Sequence, residues 1–209
     1  MGSITMSGLR SLLTALLVSF SAILAADDAT EELTQRLASL GSLRANIVQN
    51  VYADGLLLES SEGKVALARP NLLWQIDTPF PQITLLTESL LQIYDADLAQ
   101  LTVRDLTSGG NEIPANLLTR PQQLLEGNYT VIALDADGQR IYRLAPTGSS
   151  ALFQMLEIRF AAAVLESIVI LDWQSQQTEI LFNSVVTGQP LAAETFQLVV
   201  PEGTDVIRG

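Results

Sequence analysis

Arg69 is the side chain whose surroundings most invite chemistry. It stands inside the stretch Gly63 to Ile76, between two runs of period two. Val65 and Leu67 alternate with Lys64, Ala66 and Ala68 on one side; Leu72, Trp74 and Ile76 alternate with Leu73 and Gln75 on the other. Such alternation marks strands with one apolar face. Pro70 has no amide hydrogen and a fixed φ, so it suits the junction between the strands rather than a central ladder. A guanidinium at that junction offers five fixed donors at the rim of a sheet, beside an apolar face that includes a tryptophan. Two readings stay open: a solvated rim arginine ahead of a turn, or a donor fork that holds something over that face.

Other chemistry is scarce. The chain has no histidine and no cysteine, which excludes imidazole bases, thiol catalysis and the usual zinc sites. No glycine-rich phosphate loop follows a strand. The acids are scattered, and Asp95-Ala96-Asp97 reads as a turn, so neither a metal site nor a cofactor is expected. With 23 acidic residues some carboxylate pair is always available for glycoside hydrolysis, and a pair therefore carries no information. Asn128-Tyr129-Thr130 matches a glycosylation acceptor, a short and common triplet. No catalytic residue emerges, and the chain reads as a protein that is not an enzyme.

The elements that must position Arg69 are mostly strands. The spacing predicts one amphipathic helix from Asp28 to Leu40, with Leu33, Leu37 and Leu40 on a narrow stripe, Asp28 and Glu31 at capping-box spacing, and Gly41 as its stop. Period two then predicts strands at Leu43–Tyr52, Leu57–Ala68, Leu72–Asp77, Gln82–Thr87, Leu90–Asp95 and Gln100–Leu106. It predicts six more at Tyr129–Ala133, Arg140–Ala145, Phe153–Phe160, Leu165–Asp172, Thr178–Val186 and Gln197–Val200. Turn residues such as Ala53-Asp54-Gly55 and Asp135-Ala136-Asp137-Gly138 separate them. A dozen strands joined by short turns imply an antiparallel meander in one large, strongly curved sheet. The meander is interrupted once. After the loop Thr107 to Asn111, Ile113 to Leu125 reads as one or two helical turns broken by Pro114 and Pro121, with Leu117, Leu118, Leu124 and Leu125 on its apolar side. This insert is either part of a lid or a plain cross-sheet connection, and the α-helical stripe is equally either core or cover.

Residues 1–25 read as a cleaved secretory signal: Arg10 is the only charge before Asp27, the apolar run Leu12 to Leu24 is too short for an ordinary membrane span, and Ala25-Ala26 suits cleavage. The remaining 26–209 are expected to form a single domain, 184 of the 209 residues. Without cysteine that domain is held by its own core, and it lacks the residue that lipid anchoring after a signal requires. The leader takes one of the 11 basic residues and none of the 23 acids, so the remainder carries a net charge of −13. Such a chain is repelled by nucleic acid and by anionic lipid surfaces. Yet 48% of all residues are hydrophobic and only 16% charged, which suggests a generous core or a cavity for an apolar ligand.

Several segments, in order, resemble the LolA carriers of outer-membrane lipoproteins. Leu33 to Leu40 with Ser42-Leu43, Ala45 and Gln49 is similar to that family's first helix and strand. Arg69-Pro70-Asn71-Leu72 with Trp74 matches its most characteristic segment. Tyr94 lies where the family has an aromatic, Gly110-Asn111 with Pro114 resembles its Gly-Asn-Thr-Pro segment, and Phe196 followed by Val200 to Val206 resembles its closing motif. The likeness covers nearly all of the mature chain. Departures are Thr87-Glu88-Ser89-Leu90-Leu91-Gln92 in place of Asp-Gly-Lys-Thr-Leu-Trp, Ile47 where an aromatic is common, and one extra residue before Pro114.

The resemblance implies an incomplete β-barrel, mainly β, covered by short helices that act as a lid. Its interior would take the acyl chains of lipoproteins. Arg69 would be the lid switch, and Leu33, Leu37, Leu40, Ile47, Val65, Leu67, Leu72, Trp74, Ile76, Leu117 and Leu118 would supply the apolar cavity and lid. It further implies a monomer in the periplasm that receives lipoproteins from an inner-membrane lipoprotein-releasing ABC transporter and delivers them to a LolB-like outer-membrane receptor. That receptor is itself a lipoprotein, so the missing cysteine favours carrier over receptor. The alternatives are a lipoprotein-sensing regulator of the same fold and a structural or binding β-domain without lipid.

Overall fold

The computed structural model describes residues 28–106, 115–148 and 153–209. The leader and the Gly110-Asn111-Pro114 segment lie outside them. Helix α1 (28–39) opens the described chain. Asp28 is already helical rather than a cap before the first turn, and the helix stops at Gly41 as expected. Strands β1 (Ser42–Ala53), β2 (Leu56–Ala68), β3 (Asn71–Thr78), β4 (Gln82–Leu86), β5 (Leu90–Asp95) and β6 (Gln100–Asp105) follow. Helices α2 (Ala115–Thr119) and α3 (Pro121–Leu125) then lead to β7 (Tyr129–Ala136), β8 (Gln139–Pro146), β9 (Phe153–Ala161), β10 (Val164–Asp172), β11 (Gln177–Thr187) and β12 (Asp205–Arg208).

All twelve strands join one sheet, ordered β12-β6-β5-β4-β3-β2-β1-β11-β10-β9-β8-β7. It consists of two antiparallel meanders joined where β11 returns to pair with β1, Ile47 opposite Phe182. The hairpin turns Asp54-Gly55 and Asp137-Gly138 place both residues at positive φ, the geometry whose twist matches that of the flanking strands. Register shifts interrupt β1, β2 and β10, and each such bulge adds local twist. The sheet therefore curls without closing, and β7 and β12 remain its edges. Because β6 and β7 lie on opposite flanks, the chain between them must cross the sheet. Helices α2 and α3 are that crossing, and α2 touches β2 and β3.

The core lies between the concave face and the helices. Alternate residues point into it: Leu43, Ala45 and Ile47 from β1, Val65 and Leu67 from β2, Leu72 from β3, Ile158 and Phe160 from β9. From α1, Leu33 and Leu37 are fully buried and Leu40 nearly so. Pro121 stands at the first position of α3, where its missing amide hydrogen costs nothing.

Two expectations for the C-terminal part need correction. Gln197–Val200 is not a strand of the sheet. Phe196, Leu198 and Val200 are half-buried while Gln197 and Val199 are exposed, so this segment alternates as a strand does, but it is a strap lying against the outer face. The 3-10 turn Ala193–Phe196 packs on β3, and Leu85 and Ala66 are buried on that same face. The twelfth strand comes later, at Asp205–Arg208, and it runs parallel to β6. The strap explains the orientation: it crosses the outer face and joins the far flank in the direction of β6 rather than by a hairpin.

Candidate functional site

Arg69 occupies the β2–β3 turn, half-buried at the mouth of the incomplete barrel. Its Nε donates to the Leu118 carbonyl of α2 at 2.9 Å, its Nη1 to the Ala38 carbonyl of α1 at 3.0 Å, and its Nη2 to the Leu37 carbonyl. Leu37 and Ala38 belong to the last turn of α1, where their carbonyls also accept the Leu40 and Gly41 amides at 3.3 and 3.2 Å and carry the negative end of the helix dipole. One guanidinium thus ties two helices to one turn of the sheet. Burial pulls Arg69 down from its ordinary pKa, but an arginine stays charged in proteins.

Beneath α2 lies a cavity of about 170 Å³. Trp74 of β3, Leu117 and Leu118 of α2, Leu156 of β9, Ile168 and Ile170 of β10 and Ile180 of β11 line it, with Ala115 and the single polar side chain Gln49. The Trp74 ring meets Phe182 edge-on, centroids 6.2 Å apart, a favourable aromatic arrangement. Of the residues singled out from sequence, Trp74, Leu117 and Leu118 line this cavity, and Arg69 reaches it only through its bond to the Leu118 carbonyl. Leu33, Leu37, Leu40, Ile47, Val65, Leu67 and Leu72 do not line it; they share one core cluster with Leu117 and Leu118, against which Trp74 and half-buried Ile76 both pack.

A second fastening of α1 has no signal in the sequence. Glu32 accepts from Arg140 of β8 at 2.5 and 3.2 Å, from the Tyr142 hydroxyl at 2.6 Å and from Arg36 at 3.3 Å. Arg36 in turn donates to the Ala162 carbonyl in the β9–β10 turn at 2.7 Å and lies over the Phe160 ring. The Arg140 hydrogen bond, working against burial, holds the Glu32 carboxyl down to about 2. Burial, and then the bond to Glu32, raises the Tyr142 phenol to about 12. Glu32 and Arg140 are 108 residues apart, and only the strand order brings them together. The cavity residues of β9 to β11 escaped selection for the same reason: their strands were legible, but not that β11 neighbours β1.

The buried Glu157 is not a free acid. It accepts from Arg143 at 2.6 Å and from Arg159 at 2.7 Å; burial raises its pKa, but these two arginines outweigh that effect and the net shift is downward. Among the described residues no group of three or more acidic side chains is placed to hold a metal ion. No described helix is long and apolar enough to cross a membrane.

A mostly β sheet, curled but unclosed, with helices bonded across its concave side, defines the class of incomplete β-barrels covered by short helices. The sequence profile described as "Outer membrane lipoprotein carrier protein LolA" matches residues 38–199. The "Outer-membrane lipoprotein carrier protein" of Azotobacter vinelandii is 33% identical over 199 residues, 94% of this chain and 96% of that one. Its namesake in Pseudomonas putida W619 is 30% identical, covering 97% and 100%. An uncharacterised conserved protein from Thermus thermophilus shares the fold at a TM-score of 0.55 and 11% identity, over 86% of this chain and 98% of that one. The chain belongs to the LolA family. Its relatives bear the name of lipoprotein carriers, and a LolA-type lipoprotein carrier is the function they support.

Proposed function

We propose that residues 26–209 form a monomeric periplasmic carrier domain, exported by the leader 1–25. It takes the acyl chains of lipoproteins released at the inner membrane by an ABC transporter and surrenders them to a LolB-like receptor at the outer membrane. The observation that carries this reading is the triple donation of Arg69 across α1 and α2, the second of which covers an apolar cavity. Hiding an acyl chain of roughly 16 carbons is worth about 12 kcal/mol, so free passage through water is negligible and a closed apolar container is required. The cavity seen here, about 170 Å³, is near the ~150 Å³ that holds one benzene, too small for such a chain. Loading must therefore lift the lid and break the Arg69 bonds.

Those bonds favour the closed state by about 1–3 kcal/mol. That is small against cargo burial, yet it biases the loaded carrier toward release. The test is transfer of a lipidated substrate from the Arg69→Leu protein to a lipidated acceptor. Binding should be kept or tightened and hand-over slowed severalfold or more. Normal hand-over by a well-folded Arg69→Leu protein would sink the role.

A further inference from the structure

The end of the barrel away from Arg69 carries features that cavity and lid do not use. Strand β2 pairs with β3 only from Glu62 onward, opposite Thr78. Leu56, Leu57 and Glu59–Ser61 are paired with β1 on one side, with Leu58 the extra residue of a bulge, and among the described residues no backbone group meets their other edge. Past Thr78 the neighbouring chain reads Pro79-Phe80-Pro81, and its prolines have no amide hydrogen to offer. On this open edge Leu56, Leu57 and Leu58 are 69%, 55% and 61% exposed. Phe80 is exposed at the adjoining turn. Tyr52 pairs with both Leu57 and Gln177, which sets the β10–β11 turn beside the hairpin.

Charge is sorted along the barrel. Four turns at this end with their flanking strand ends (50–62, 76–83, 93–100 and 170–179) hold eight aspartates and glutamates and no lysine or arginine. Asp54, Glu59 and Glu62 lie on the hairpin itself, and Asp77 and Glu179 on the strands beside it. The basic residues are elsewhere, with Arg36, Arg69, Arg120 and Arg140 gathered around the helices.

We propose that the Leu56–Ser61 edge is a docking site for an extended, basic polypeptide segment of a partner protein, bearing apolar side chains, which adds to β2 as a further strand. The unpaired backbone edge calls for amides and carbonyls in register, which a polypeptide supplies and a lipid surface does not. Three leucines supply apolar contact, and the surrounding carboxylates select a cationic strand. Those same carboxylates repel anionic phospholipid and a second copy of this edge, as charged residues on edge strands do. The proposal stands on the hairpin alone and is independent of what the cavity holds.

The test uses the full mature chain and a capped heptapeptide alternating lysine and valine, read by anisotropy and by backbone amide exchange. The peptide should slow exchange of the Leu56–Ser61 amides. Its affinity should fall at least tenfold on replacing Leu56 and Leu58 by serine, and should weaken with salt. A version alternating glutamate and valine, and a lysine version with a central proline, should bind at least tenfold more weakly. Equal binding of the proline version, or protection confined to other strands, overturns the proposal. So does binding of the tip to phosphatidylcholine or phosphatidylglycerol vesicles without peptide binding, which assigns it to lipid. Concentration-dependent self-protection of the same amides overturns it in favour of a second copy.

Discussion

At Arg69, charge and geometry can be separated by lysine. A lysine keeps a positive charge near the C-terminus of α1, but its single ammonium cannot reach Leu118 and the Leu37–Ala38 pair together in the planar fork of the guanidinium. Arg69→Lys should therefore hand over cargo at a rate nearer to Arg69→Leu than to the wild type; near-wild-type transfer would show that charge alone suffices. Glu32 gives a pH-dependent prediction. Its folded pKa, about 2, lies below the ordinary value of about 4.3. The stabilisation is then fully present above that ordinary value and is lost as pH falls toward 2. Glu32→Gln should be less stable by on the order of 1 kcal/mol at neutral pH, after allowance for solvent screening. The gap should close on acidification, as unfolding midpoints against pH will show; a gap independent of pH counts against the latch.

Elements differ in how firmly they are held. Helix α1 is fastened twice, to β8 through Glu32 and to the β2–β3 turn through Arg69, and its stripe is fully buried. Leu33→Ala is therefore expected to cost about 2–5 kcal/mol, with binding of an apolar dye little changed. A small stability loss with strongly increased dye binding would instead mark α1 as a mobile cover. Strand β2 has its own constraint at Gly63, where a Cβ would stand 2.0 Å from the Gln75 carbonyl oxygen and 2.9 Å from the Ile76 Cα. Backbone cannot swing aside as a side chain can, so Gly63→Ala must open the bulge between β2 and β3. A loss of about 1–3 kcal/mol and altered Trp74 fluorescence are expected, since Trp74 lies on the strand that must move.

Across the whole molecule, the two tryptophans report on opposite ends. Trp74 lines the cavity, whereas Trp173 is more than half exposed in the β10–β11 turn. In a Trp173→Phe protein, titration with a detergent-solubilised acylated lipoprotein should change Trp74 emission and the mobility of the complex. Emission and mobility both unchanged would count heavily against the cavity as an acyl site. The unclosed sheet makes such filling feasible: its two meanders are joined by backbone hydrogen bonds only at the β1–β11 pairing, and the helices bridge the concave side instead of a closing strand.

Sequence alone determined much of the local structure. Period two placed eleven of the twelve strands to within a few residues, because side chains on a half-buried strand must alternate. Asp-Gly pairs located two turns, and Arg69-Pro70 located the rim, because proline permits little else there. What tertiary structure decided were the pairings of distant residues. That β11 returns to β1, that Glu32 finds Arg140, and that Trp74 faces Ile168 and Ile180 depend on strand order and curl, which no local pattern encodes. The misreading of Gln197–Val200 has the same root. Alternation reports one buried face, and a strap lying on a sheet buries one face just as a strand within it does; only the ladder, a matter of neighbours far along the chain, tells them apart.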